Sequence, residues 1–205
     1  MTVETRTARP NEASSTSDYV ARTVTRIQQQ YLAPTPTSWS RAALAQLRRS
    51  VGQPLGSVPE VLELVVNPDA PLTAGPPTRA ENAIAAALGL YAVHQQSVPQ
   101  PMHVPGVRLG TALSRAARRG GDEVPGVVRR FQALGTTEEW GELLHHARGL
   151  VQLLRAERQG LDYAQLAQDL VQFQNPAQRD VVRLRWGRAF YRVTPSTTSV
   201  TPEEQ

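Results

Sequence analysis

Apolar residues along this 205-residue chain recur at helical spacing, with no stretch of strand-like alternation. Val20, Val24, Ile27 and Tyr31 form an i, i+4, i+7, i+11 series that stops before Pro34 and Pro36. Leu44, Leu47 and Val51 resume the pattern after Ser38, with Trp39 and Ala43 at its margin, and a short helical piece follows from about Pro59 to Val66. After a Pro-rich loop from Asn67 to Pro77, Thr78-Arg79-Ala80-Glu81 has the spacing of a capping box. It opens an alanine-rich helix with Ala80, Ile84, Ala87, Leu88 and Tyr91 inward. Small residues let neighbours approach closely, which predicts a central place for this helix.

Downstream, a helix from about Val107 to Arg119 turns Leu109, Ala112, Leu113 and Ala116 inward and ends at Gly120-Gly121. Pro125 opens the next, which carries Val127, Val128, Phe131 and Leu134 and stops at Gly135. Thr136-Thr137-Glu138-Glu139 reads as a second capping box, for what the pattern makes the longest helix, running from Trp140 to Leu154. Asp162 caps a helix that buries Leu166, Leu170 and Phe173, and after Pro176 the last helix turns Val182, Trp186, Ala189 and Phe190 inward. The fold class is all-α, a compact bundle of about eight helices. It forms a single body or two packed halves, residues 18–119 and 122–193. Residues 1–17 and 194–205, polar and without apolar periodicity, are expected to be disordered tails.

The absence of cysteine excludes a disulfide scaffold, a thiolate nucleophile and cysteine-ligated metal. No run of about twenty apolar residues occurs, and the N-terminus lacks the apolar core of a signal peptide, so a soluble, cytoplasmic protein is expected. The acids Glu81, Glu138, Glu139 and Asp162 stand at helix starts, where capping places them for stability. His145 and His146 are adjacent and point about 100° apart on a helix, and His94 and His103 have no carboxylate at helical spacing, so neither pair suggests a metal site. Phosphate-loop, dinucleotide-binding and nucleophile-elbow motifs are missing as well. The chain is expected to be no enzyme and to carry no cofactor.

Charge gives the more informative signal. All 22 basic residues are arginine, against 18 acids, for a net charge of +4. Between Arg41 and Arg119, eight arginines face only four acids. Arg41 and Arg48 share a flank of their helix, with Arg49 nearly opposite its apolar stripe. Arg79 stands in a first turn, where the helix dipole disfavours it by a few tenths of a kcal/mol, roughly. Arg108, Arg115, Arg118 and Arg119 fall within one arc, and Arg129 and Arg130 point away from the face of Val127 and Phe131. Arg148 and Arg155 share a flank, and Arg185, Arg188 and Arg192 line up at helical spacing. The guanidinium fork suits phosphate oxygens, and several on one face give salt-sensitive binding without base readout. The aromatic residues Trp39, Tyr91, Trp140, Phe173, Trp186 and Phe190 mostly fall on apolar faces, which leaves phosphate rather than bases as the target. Solvated arginines in a chain without lysine are also what a GC-rich genome produces.

Five short stretches appear in order: Leu44-Ala45-Gln46-Leu47-Arg48-Arg49, Ala92-Val93-His94-Gln95-Gln96-Ser97, Gly106-Val107-Arg108-Leu109-Gly110, Arg129-Arg130-Phe131-Gln132-Ala133-Leu134 and Arg183-Leu184-Arg185-Trp186-Gly187-Arg188. Their succession, spanning about Trp39 to Arg192, resembles the CasB family, the small subunit of the type I-E CRISPR surveillance complex Cascade. The resemblance implies a two-part helical protein without catalytic activity, present as a pair of copies. Its implied partners are the backbone and large Cascade subunits, a second copy of itself, the guide RNA, and the target and displaced non-target DNA strands. No membrane and no small-molecule substrate is implied.

On this chain the resemblance carries nucleic-acid contacts to Arg48, Arg49, Arg79, Arg129, Arg130 and Arg148, and none to the loop from Val98 to Pro105. With the arc of Arg108, Arg115, Arg118 and Arg119, these form the candidate set. R-loop formation is a near-balanced exchange of duplexes, so a few phosphate contacts suffice to tip it. The rival reading is a structural helical adaptor whose arginines meet acidic protein partners.

Overall fold

The computed structural model describes residues 12–71, 73–118 and 125–192. They form nine α-helices: α1 (Glu12–Tyr31), α2 (Ser38–Ser50), α3 (Leu62–Val65), α4 (Arg79–Gln95), α5 (Leu109–Ala117), α6 (Pro125–Thr136), α7 (Trp140–Ala156), α8 (Tyr163–Phe173) and α9 (Arg179–Tyr191). Short 3-10 turns, Pro59–Val61 and Pro176–Gln178, lead into α3 and α9. Among the described residues there is no strand, only an isolated bridge between His103 and Leu161.

α4 is the hub, as its small residues led one to expect. Its capping box forms in full: Thr78 Oγ1 accepts from the Glu81 amide at 3.1 Å, and Glu81 Oε2 accepts from the Thr78 amide at 2.7 Å. From Ala83 to Gln95 almost every side chain is buried, and α4 packs against α1, α2, α7 and α8. α1 in turn packs on α8, and α5 on α9, so elements on either side of residues 119–124 share one apolar core.

The loop between α4 and α5 is held by buried polar side chains. Gln95 Nε2 donates to the carbonyls of Val98 and Gln100, both at 2.9 Å, and its Oε1 accepts from the Met102 amide at 3.1 Å. Asp162 caps α8 through the amides of Ala164 and Gln165 and also accepts from the Gly106 amide at 2.7 Å. The stretch from Ala92 to Ser97 therefore serves the fold.

Three local expectations are corrected. α1 begins at Glu12, and Thr16 is buried, so helical structure starts upstream of the boundary placed after Ser17. At 20 residues α1, rather than α7 with 17, is the longest helix. The second capping box does not form. α6 runs through Gly135 to Thr136, the Thr137 hydroxyl donates back to the Leu134 carbonyl at 2.9 Å, and Glu139 precedes α7 without a side-chain capping bond. The physical reason is that Thr136 still belongs to α6, where its hydroxyl donates back to the Ala133 carbonyl at 2.9 Å, while Glu138 accepts from Arg179 at 2.8 Å and from Arg183 at 2.6 Å, charge-assisted bonds that tie the α6–α7 turn to α9.

Candidate nucleic-acid interface

The first arginine groove lies over α4, between α2 and α7. Arg48 and Arg49 occupy the last turn of α2, where the negative end of the helix dipole favours cations. Arg148 and Arg155 stand two turns apart on one flank of α7 and face them. The groove, about 530 Å³, is floored by Val93 and Gln96 of the α4 region and edged by Gln53 and Gln152. Among the described residues, no carboxylate lines it. Arg48 and Arg49, expected on different flanks of α2, both reach this groove.

On its other flank α7 borders a second groove, of about 400 Å³, shared with α6. Arg129 and Arg130 supply one wall and His145 and His146 the other, with Gly126 and Gly149 keeping the backbone accessible. His146 lies 3.7 Å from Glu142, one turn back on the same helix. One helix thus presents cationic or hydrogen-bonding side chains to two grooves.

The third groove separates α5 from α9 and encloses about 790 Å³. Arg108, Arg115 and Arg118 come from the α5 side and Arg185, Arg188 and Arg192 from α9. Two of these are already engaged. Arg118 donates to the Ser114 hydroxyl and to the Phe190 carbonyl, and Arg185 donates to the buried Asp169 at 2.6 Å. Arg119, expected in the same arc, lies outside the described residues.

Arg79 stands apart from the other candidates. Its groove, about 310 Å³, also contains Glu138, Glu139, Trp140 and Arg179. Mixed charge makes it a poorer phosphate site than the three grooves that no carboxylate lines among the described residues.

Several acids elsewhere serve the structure. Glu81 and Asp162 cap helices, and Asp69 pairs with Arg22 at 3.1 Å on the surface. Hydrogen bonds from Arg183 and Arg179 hold the Glu138 carboxyl below its usual range. Burial pushes the Asp169 carboxyl up, opposed by the hydrogen bond from Trp186 and the charge of Arg185. Among the aromatic residues, Tyr91, Phe173, Trp186 and Phe190 are buried and Trp39 and Trp140 partly so, which leaves arginine as the main chemistry of the grooves.

Sequence reasoning had noted Arg155, Arg185, Arg188 and Arg192 by their spacing but left them out of the candidate set. The seven-residue step from Arg148 to Arg155 was the signal that places both in one groove. His145 and His146 gave no such signal, because their relevance comes from α6 lying opposite.

The profile of the family described as CRISPR-associated protein Cse2 matches residues 43–191. The chain belongs to the Cse2/CasB family. Among solved structures, the crystal structure of CasB from Thermobifida fusca is similar, with 34% sequence identity over 85% of this chain and 97% of that chain and a TM-score of 0.71. A comparison with curated proteins gives no match. The Cse2/CasB match agrees with the resemblance carried by the succession of short motifs. It spans nearly all of the chain from α2 to α9 and, Arg192 apart, the described residues that line the three arginine grooves, whereas α1 lies outside the matched residues yet packs on α8.

Proposed function

We propose that this chain, a CRISPR Cascade subunit by family, is the non-catalytic small subunit of the type I-E complex and binds the nucleic-acid backbone through surface arginines. In this role it steadies the R-loop, target strand and displaced strand alike, during antiviral defence in the cytoplasm. Its partners are the backbone and large subunits and a second copy of itself.

The observation that carries this reading is the groove between α2 and α7, where Arg48, Arg49, Arg148 and Arg155 converge with no carboxylate among the lining residues. Four like charges in one groove repel each other, and a polyanion relieves that repulsion while accepting their hydrogen bonds. The neighbouring groove with Arg129 and Arg130 extends the basic surface across α7. Contacts of this kind ignore base identity, as a subunit that must accept any target requires. Because the exchange of duplexes is nearly balanced, each phosphate contact shifts the lifetime of the open state.

The test is binding of labelled single-stranded DNA across a salt series, with Arg48, Arg49, Arg148, Arg129 and Arg130 changed singly to Ala. Each loss of a phosphate contact is expected to flatten the slope of log K against log salt by about 0.7. R-loop lifetime in the assembled complex is expected to shorten in the same order. Binding that is insensitive to salt, or slopes that none of these changes moves, would overturn the reading in favour of a structural adaptor.

A further inference from the structure

α9 is apolar on two sides. Val182, Trp186 and Phe190 face the core, yet Val181, Leu184 and Tyr191 are 58%, 52% and 56% exposed, three of the four large apolar side chains exposed among the described residues. Val181 and Leu184, one turn apart, line the groove shared with α5. Arg108 and Arg115 rise on one bank and Arg188 and Arg192 on the other, and among the described residues no carboxylate lines the groove.

This mixture differs from the groove between α2 and α7, whose apolar lining is confined to partly or fully buried side chains. A phosphate backbone would satisfy the arginines and leave Val181 and Leu184 in water. A helix with an aliphatic stripe and flanking carboxylates satisfies both sets at once, with the stripe over Val181 and Leu184 and the acids toward the two banks. The stretch from Val181 to Arg192 is roughly 16 Å long, about three turns of a guest helix.

We infer that the groove between α5 and α9 docks an acidic amphipathic helix of another protein subunit of the complex, an inference that rests on the Cascade role proposed above. A second copy of this chain is a poor match, because the described helix with an exposed apolar stripe, α9, flanks that stripe mainly with arginines, and its one carboxylate, Asp180, pairs with its own Arg183 at 2.9 Å. The walls of the groove are fixed before docking. Arg185 is held by Asp169, and Arg118 is held by Ser114 and the Phe190 carbonyl. This division assigns α2, α6 and α7 to nucleic acid and α5 and α9 to protein.

The test uses the full chain and the other Cascade subunits of its own organism with guide RNA. In one arm Val181→Ser and Leu184→Ser are combined, and incorporation into the complex is titrated beside single-stranded DNA binding by the isolated chain. Incorporation is expected to weaken about tenfold while DNA affinity stays within about twofold, and Arg48→Ala with Arg49→Ala should lower DNA affinity without the loss of incorporation. In the second arm a photo-crosslinking residue replaces Leu184, a solvent-exposed position where folding is not at stake, and the crosslinked peptide is identified by mass spectrometry. An acidic helical peptide from another subunit supports the inference.

Crosslinks to nucleic acid, to a second copy or to residues 193–205 of the same chain would overturn it, as would unchanged incorporation. If no variant binds DNA and the crosslink still reaches an acidic helix, the nucleic-acid reading fails while the docking site stands.

Discussion

The indole N–H of Trp186 donates to Oδ2 of Asp169 at 2.6 Å, while Arg185, its neighbour in sequence, donates to Oδ1 of the same carboxylate at 2.6 Å. Asp169 is 2% exposed, so a single buried acid on α8 sets the rotation of α9 about its axis. That rotation turns Arg188 and Leu184 outward and Phe190 inward. Asp169→Ala leaves a partly buried guanidinium and an indole N–H without their acceptor and is expected to cost about 3–5 kcal/mol in denaturant unfolding. Asp169→Asn, which keeps an acceptor for Trp186, is expected to cost less.

Gly110 sets how closely α5 approaches α9. A Cβ there would lie 2.2 Å from the Trp186 carbonyl oxygen and 2.8 Å from the Phe190 nitrogen, backbone atoms with little freedom to move. Gly110→Ala is expected to destabilise by at least about 1–3 kcal/mol and to disturb the groove above it. Gly187, within α9, has nothing within 4 Å of its would-be Cβ. Gly187→Ala is expected to stabilise by about 0.5–1 kcal/mol, so thermal melts of the two variants should move in opposite directions.

His94 ties acid sensitivity to the core. Its Nδ1 lies 2.9 Å from the Tyr163 hydroxyl, and burial lowers its pKa from an ordinary 6.5 to about 4. The unfolded chain therefore takes up this proton first. Stability is expected to fall as pH drops from about 6.5 to about 4, by on the order of 3 kcal/mol, and to lose nothing further from this group below that. Denaturant titrations at several pH values should show the slope, and His94→Gln should flatten most of it. A residue should persist from His103, whose pKa burial also lowers.

Arg79 and Arg148 separate the two kinds of groove. Arg79 shares its groove with Glu138 and Glu139, whereas Arg148 sits among arginines and glutamines. Arg148→Ala is expected to weaken single-stranded DNA binding about fourfold near physiological salt, the effect of one lost phosphate contact. Arg79→Ala is expected to change it less than about twofold. Equal losses would show that Glu138 and Glu139 do not neutralise Arg79.

Helix positions were largely legible because each apolar stripe repeats within a few residues. The caps of α4 and α8 were legible too, since Thr78 with Glu81, and Asp162, bond to backbone only two or three positions away. Where the reading failed, a distant partner had intervened. Thr136 to Glu139 spell a capping box, yet α6 runs on through Thr136, and the turn that follows is held to α9 by Arg179 and Arg183 on Glu138. The start of α1 was missed because its first turns are polar, and only the surrounding structure buries Thr16.

Sequence alone determined that the chain is helical, that its charge resides in arginine, and that α4 must be central, all consequences of residue type and local period. Which arginines act together was decided by tertiary packing. α4 brings the end of α2 beside the flank of α7, so Arg48 and Arg49 meet Arg148 and Arg155. Asp169 and Gly110 lock α9 against α8 and α5, which gathers a separate set of arginines around two exposed aliphatic side chains. Local periodicity fixes the direction a side chain takes from its own helix, and only long-range contacts fix which other helix lies in that direction.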